Sequence, residues 1–163
     1  MTRRYARAPR GERAHGHAPK NWGDSVSLAA GIGLRGVVAP VMLRGSMSGD
    51  AFEGYIEQMV LPELCAGDIV LWDNLGAHKR ARVRELVESV GATVVFLPPY
   101  SPDTNPIEMA WSKVKTILRA HAARTWDALV EAVADALSKI TSNDILGWFA
   151  KCGYGVQRQG KSL

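Results

Sequence analysis

The chain has only two cysteines, Cys65 and Cys152, in 163 residues. Two solitary thiols build neither a disulfide framework nor a cysteine zinc site, and they fit a reducing cytoplasm. No apolar run approaches the ~18–20 residues that a membrane-spanning helix needs. The start of the chain is rich in arginine but lacks the apolar stretch of a secretory signal peptide. Neither an internal repeat nor a low-complexity segment is present. What remains is a globular composition, 47% hydrophobic, in a chain long enough for one domain with a core of its own.

Charge is unevenly placed. The formal net charge is +4, yet residues 1–20 carry Arg3, Arg4, Arg7, Arg10, Arg13 and Lys20 against Glu12 alone. The first 20 residues are therefore +5 and the rest of the chain is −1. A basic arm on a nearly neutral body suits contact with a polyanion such as DNA, although a solvated tail has the same composition.

Residues 1–24 read as that arm. Ser25 to Leu34 and Gly36 to Leu43 read as two strands of a hairpin turning at Arg35-Gly36. Helical spacing from Asp50 to Leu64 puts Phe52, Tyr55, Ile56, Met59 and Val60 on one face. Ile69-Val70-Leu71-Trp72 is apolar on both faces, the mark of a central strand in a parallel sheet. A basic amphipathic helix over Lys79 to Val90 ends at Gly91, and the strand Thr93 to Leu97 stops at Pro98-Pro99. Further helices are expected over Asn105 to Ala122, Thr125 to Ile140 and Ser142 to Lys151, then a tail over residues 155–163. Strand, helix, strand over residues 69–97 is a βαβ unit, which implies a parallel pair. With the antiparallel hairpin before it, the expected architecture is α/β: a mixed sheet flanked by helices.

Asp73 follows the apolar run directly and so stands at the carboxyl end of a strand, where open α/β sheets bind ligands. Asn74, Gly76 and His78 make a polar loop after it. The same residues would also suit an Asx-type turn leaving the strand, and His78 would suit a turn cap. Glu108 follows Asn105 and Pro106, an N-cap and a first helical residue. It would therefore serve equally as the third residue of a capping box closing on Asn105. Taken together, Asp73 and Glu108 can converge at one sheet edge. Hard divalent cations such as Mg²⁺ are often held by one or two carboxylates plus substrate phosphate, and paired ions drive phosphodiester chemistry.

The wider pattern is more specific. Leu71-Trp72-Asp73-Asn74-Leu75-Gly76-Ala77-His78-Lys79, then Leu97-Pro98-Pro99-Tyr100-Ser101-Pro102-Asp103-Thr104-Asn105-Pro106-Ile107-Glu108 with Trp111 a turn later, resembles the mariner-like superfamily of DDE transposases. The bacterial insertion-sequence group numbered six hundred and thirty looks most similar. Thirty-four residues lie between Asp73 and Glu108, the separation this superfamily has between its second and third carboxylates. The likeness runs from about Met1 to Tyr154, including Arg7-Ala8-Pro9-Arg10-Gly11 and Gly147-Trp148-Phe149-Ala150-Lys151-Cys152-Gly153-Tyr154.

The resemblance implies a ribonuclease-H-like, retroviral-integrase-like fold over residues 25–154. It implies that Asp73 and Glu108 are catalytic carboxylates holding Mg²⁺ or Mn²⁺. It further implies DNA as partner, both transposon ends and target, a homo-oligomer within a DNA complex, and a cytoplasmic, nucleoid-associated bacterial protein with no membrane. One departure stands out. The family's first carboxylate, in an Asp-Glu pair on the first strand, precedes the segment matching Arg3 to Gly11. The expectation is that this strand and acid are missing, as is the amino-terminal helix-turn-helix, and that the chain alone is inactive. A remnant that only binds DNA or a full-length transposase is the alternative. Arg3, Arg4, Arg7 and Arg10 of the arm are expected to touch DNA. So are Lys115 and Arg119, which share a helix face with Glu108 and Ser112. Asn74, His78 and Asn105 are accessory candidates. Trp111 and Trp148 are expected in the core, and His15 and His17 lack the partners of a metal site.

Overall fold

The computed structural model describes residues 8–13, 25–99 and 101–155. Strands β1 (Val26–Gly33) and β2 (Gly36–Arg44) form the expected antiparallel hairpin, with the turn at Leu34-Arg35, one residue earlier than the sequence suggested. The ladder slips between Ala29 and Gly31, where Ala39 takes a φ of 48° opposite the slip. Pro40 beside it donates no ladder hydrogen bond, so the irregularity falls where the strand loses least. Gly31 is required there: a Cβ would meet a methyl of Val38 at 2.8 Å.

The next helix is continuous but changes pitch. Helix α1 (Gly49–Tyr55) starts on the Ser48 N-cap and passes into a π-helical stretch, Ile56–Val60, then a 3₁₀ turn, Leu61–Glu63, ending near Pro62. The wider π turn rotates the later residues out of register. Met59, expected on the inner face, is accordingly 41% exposed, whereas Phe52 and Ile56 are buried.

Strands β3 (Ile69–Trp72) and β4 (Thr93–Phe96) pair in parallel, Ile69 with Thr93 through Trp72 with Phe96. A 3₁₀ turn (Gly76–Lys79) and helix α2 (Ala81–Ser89) make the crossover. Helices α3 (Pro106–His121), α4 (Trp126–Ser138) and α5 (Ser142–Lys151) complete the described chain. Ala122 closes α3 in the left-handed conformation.

The expected single mixed sheet is two sheets. Among the described residues β1 and β2 pair only with each other, and so do β3 and β4. The apolar run Ile69–Trp72 therefore has one strand neighbour rather than the two of a central strand, and Ile69 is 66% exposed. The core is divided in the same way. Phe52, Ile56, Val83, Leu86, Val87, Ala92 and Val94 form one buried cluster of α1, α2 and β4. Ala110, Val114, Ala132, Val133, Ala136 and Ile145 are buried in α3, α4 and α5, beside Ala30, Ile32 and Val37 of the hairpin. Two side-chain contacts add to this packing of the hairpin against its neighbours. The Tyr55 hydroxyl donates to Ala39 O at 2.9 Å, and burial pushes that phenol up to about 12. The Arg44 guanidinium lies 4.5 Å over the Trp126 ring.

Candidate metal centre

Asp73 leaves β3 at its carboxyl end, as the βαβ pattern requires. The two strands stay joined one step beyond their ladder: Leu97 N–H donates to Trp72 O at 2.7 Å, and Asn74 Nδ2 donates to Leu97 O at 2.5 Å. Asn74 thus locks the strand ends that carry the loop.

The Asp73 carboxylate is about half exposed, and all its contacts use one oxygen. Oδ1 accepts the Leu75 N–H at 3.1 Å, which is the Asx-type turn, and lies 2.6 Å from His78 Nδ1. Oδ2 has no partner among the described residues. The His78 ring packs against Phe52, centroids 4.6 Å apart, and Trp72, 5.9 Å apart. Nδ1 is buried, and at this separation its N–H is angled too far from Oδ1 to make a well-formed hydrogen bond with it or with any other described atom. The short separation outweighs the imperfect angle, because a nitrogen lone pair and a carboxylate oxygen would repel at that distance without a proton between them. Arg80 closes the loop by donating to Asp50 and Glu53 of α1, each at 2.7 Å.

Glu108 occupies the third position of α3, after Asn105 and Pro106. The capping box that competes for its oxygens is absent: Asn105 caps nothing through its side chain. A capping box does form at α5, between Thr141 and Asp144. The Glu108 N–H donates to Asn105 O at 3.2 Å, while its exposed carboxylate makes no ion pair or hydrogen bond with any described residue. The approach to α3 is braced from far along the chain: the Tyr154 hydroxyl donates to Thr104 O at 2.8 Å, and Thr104 Oγ1 donates to Ser101 O at 2.8 Å. Lys113 of α3 meets Asp144 of α5 at 2.6 Å. This ammonium, with the Thr141 backbone and hydroxyl, holds the Asp144 carboxyl at about 2.

The donor chemistry fits a hard divalent cation. Among the described residues both carboxylates offer unengaged oxygen. Among the described residues no three metal-binding side chains form a cluster, so an ion here would need water or phosphate to complete its shell.

The DNA-binding candidates separate. Arg3, Arg4 and Arg7 lie outside the described residues, as do His15 and His17. Arg10 sits exposed in a turn closed by Glu12 N–H to Pro9 O. Lys115 and Arg119 are exposed on α3 and form no ion pair among the described residues. On the basic helix α2, Arg82 and Arg84 pair with Glu57, Glu85 and Glu88. Trp111 and Trp148, expected in the core, are half-buried: Trp111 lines a cleft beside the hairpin, and Trp148 borders a groove between α3 and α5. Their large rings bridge elements instead of filling a centre. Sequence reasoning missed Phe52 and Tyr154 as supports. Each acts through a contact tens of residues away, which no local pattern encodes.

The fold has counterparts among solved structures. The structure matches the "Mos1 transposase paired-end complex with left transposon end", with a TM-score of 0.72 and 15% identity, over 93% of this chain and 47% of that one. It matches the "Crystal structure of the Mos1 mariner paired end complex with Mn", with a TM-score of 0.67 and 15% identity, over 93% of this chain and 48% of that one. It also matches the "Crystal structure of the catalytic domain of Mos1 mariner transposase", with a TM-score of 0.63 and 14% identity, over 77% of this chain and 67% of that one. The chain thus spans about half the length of the longer transposases it matches, and the α/β, ribonuclease-H-like class expected from the sequence is the class observed. No curated protein matches the sequence. No helix among the described residues is long and apolar enough to cross a membrane. The family model described as DDE superfamily endonuclease matches residues 1–130, well over half of the chain, and the chain therefore belongs to that family.

Proposed function

We propose that this chain is catalytic-domain material of an insertion-sequence transposase, whose Asp73 and Glu108 hold Mg²⁺ or Mn²⁺ for cutting and joining DNA strands. The observation that carries this reading is that both carboxylates keep an oxygen unspent. Asp73 satisfies its turn with Oδ1 alone, and Glu108 forgoes the capping box its sequence allows. In a helix start whose N-cap side chain is idle, an uncapped acid at the third position is free to serve a ligand.

When bound, such ions supply charge that activates an attacking oxygen and stabilises the leaving one in phosphodiester displacement. The residues of the chain do the positioning. Asn74 holds the β3 and β4 ends together beneath the loop. Tyr154 steadies the turn that launches α3. Lys115 and Arg119, about two and three turns further on the helix face of Glu108, bind phosphates of the DNA backbone, and Arg3, Arg4, Arg7 and Arg10 of the arm add sequence-independent affinity. The DNA comprises element ends and target, engaged by more than one copy of the protein.

A second reading is favoured by one observation, that the described residues offer no third metal-binding side chain to the site. Closely spaced cations need negative ligand charge, so two acids hold them less well than three. The chain by itself would then bind DNA, or a full-length transposase, without cutting. Supercoiled DNA bearing the element ends, incubated with Mn²⁺ and the chain, separates the two. A form extended upstream with an Asp-Glu strand should nick at the ends and lose nicking with Asp73→Ala, while the chain alone binds and leaves the DNA intact. Nicking by the chain alone, abolished by Asp73→Ala, would show that two carboxylates suffice. An extended form that never nicks would favour the non-cutting reading.

A further inference from the structure

The loop from Asp73 to Arg80 is anchored to a degree that an ordinary strand exit does not need. At its start, Asn74 reaches across to Leu97 O. At its end, the Arg80 guanidinium donates to both Asp50 and Glu53, one helical turn apart on α1. Gly49 leaves room for that guanidinium, since a Cβ there would run into Arg80 Nη1. Between these anchors sits His78, only 18% exposed. Phe52, 6% exposed and part of the buried cluster, lies against its ring at a 35° tilt, and Trp72 lies on it at 32°. An imidazole packed on two aromatic rings has little freedom to rotate. Its Nδ1 is inaccessible to water, and the acceptor within reach is Oδ1 of Asp73.

We propose that His78 is a positioning residue for the proposed metal site: its buried Nδ1–H holds Oδ1 of Asp73, so that Oδ2 alone is presented to a divalent cation. The proposal rests on the assignment of Asp73 as a metal ligand. A carboxylate can only accept, so Nδ1 carries the proton, a requirement met by the neutral Nδ1–H tautomer and by the imidazolium alike. Together with the Leu75 N–H, the imidazole contacts this one oxygen and so restrains the carboxylate. A ligand oriented in advance loses less freedom when the ion arrives. Partners behind a metal ligand typically contribute about 10–100-fold in metal affinity. Helix α1 thereby becomes the footing of the site: Phe52 sets the ring, and Asp50 and Glu53 set the loop end.

The test is a Mn²⁺ titration of the whole chain, read by the enhancement of water-proton relaxation, which needs no catalysis. His78→Phe keeps an aromatic ring against Phe52 and Trp72 but removes the donor. His78→Asn loses the ring but places an amide nitrogen near the position of Nδ1, whereas His78→Gln places it near Nε2, out of reach of Oδ1. The Asn and Gln variants sacrifice the same packing, so the difference between them reads the donor alone even if both are less stable. His78→Phe and His78→Gln should weaken Mn²⁺ binding by about tenfold or more, and His78→Asn should stay within about threefold of the parent. Unchanged affinity in His78→Phe, or equal affinity in the Asn and Gln variants, overturns the positioning role. Asp73→Ala separates the two levels. If it binds Mn²⁺ like the parent, the metal assignment itself fails and His78 has nothing to position. If it loses binding while His78→Phe does not, only the positioning role fails.

Discussion

The two halves of the candidate site are built in opposite ways. Asp73 stands in a loop held at four points: the Leu75 N–H and His78 on its own carboxylate, Asn74 on the neighbouring strand, and Arg80 on α1. Glu108 stands on a helix start whose N-cap side chain does nothing, and its carboxylate touches no described partner. The first half is pre-set by packing. The second is an exposed side chain, without a described partner, on a firmly placed helix, braced below by Tyr154 and along its side by the Lys113–Asp144 pair. Under the proposed metal-binding role, the anchored carboxylate would set direction and the unpartnered one would take up slack as an ion and a phosphate arrive together.

The largest expected effect lies under the fixed half. Phe52→Ala removes a buried ring from the centre of the α1–α2 cluster and should cost about 3–5 kcal/mol, a large share of the ~5–15 kcal/mol available to a domain. Urea unfolding monitored by Trp72 fluorescence would measure it. A loss below about 1 kcal/mol would mean that the histidine loop is not built on α1.

A pair of asparagines sharpens the contrast. Asn74→Ala strips the hydrogen bond from Leu97 O, and an unsatisfied buried carbonyl costs on the order of 1–3 kcal/mol. Asn105→Ala at the other half should stay within about 0.5 kcal/mol, because that side chain caps nothing. Equal losses in a thermal melt would show that Asn105 is in fact engaged.

The same division was only partly legible in the sequence. The apolar run followed by Asp73, the strand after Gly91 and the Asn105-Pro106 helix start encode their elements locally, and each formed where expected. The hairpin turn and the ends of α2 and α3 moved by a residue or two, as fraying ends do. Local periodicity misled at Met59, because a π turn shifts the helical phase. It misled again at Ile69–Trp72, because apolar composition on both faces does not report how many strands are alongside. At the site, residue types were readable and allegiances were not. The Asx turn and the proposed ligand role at Asp73 proved compatible, since each needs a different oxygen. The capping box at Glu108 satisfied every local rule and did not form. Phe52 beneath His78 and Tyr154 beneath Thr104 are long-range contacts, settled by packing.

Electrostatics separates the paired arginines of α2 from Lys115 and Arg119 of α3, which form no ion pair among the described residues. Each phosphate contact contributes about 0.9 to the log–log salt slope of DNA binding. Replacing Arg3, Arg4 and Arg7 together by Ala should lower that slope by roughly two to three, and Lys115→Ala with Arg119→Ala by roughly two. Arg84→Ala should leave it unchanged, because that guanidinium is already committed to Glu88 at 2.7 Å. Fluorescence anisotropy over a salt series reads all three, and a slope that moves with Arg84 would put DNA on α2 instead.

The smallest effect is on the helix brace. Asp144 is held at about 2 in the folded chain, below its ordinary 3.8. Its contribution is therefore complete above about pH 4 and is lost as pH falls through 2. Trp148 fluorescence should show α5 loosening across that interval, and Asp144→Asn should remove the pH dependence. A transition that persists in Asp144→Asn would assign it to another group.

The central claim is that Asp73 and Glu108, one anchored and one free, serve a single cation. Residue-resolved paramagnetic broadening by Mn²⁺ tests it most directly. The amide signals of Asn74 and Leu75 and those of Ile107 to Met109 should broaden together with one midpoint, and Asp73→Ala or Glu108→Ala alone should relieve broadening in both segments. Broadening confined to one segment, or undiminished in Asp73→Ala, would contradict it.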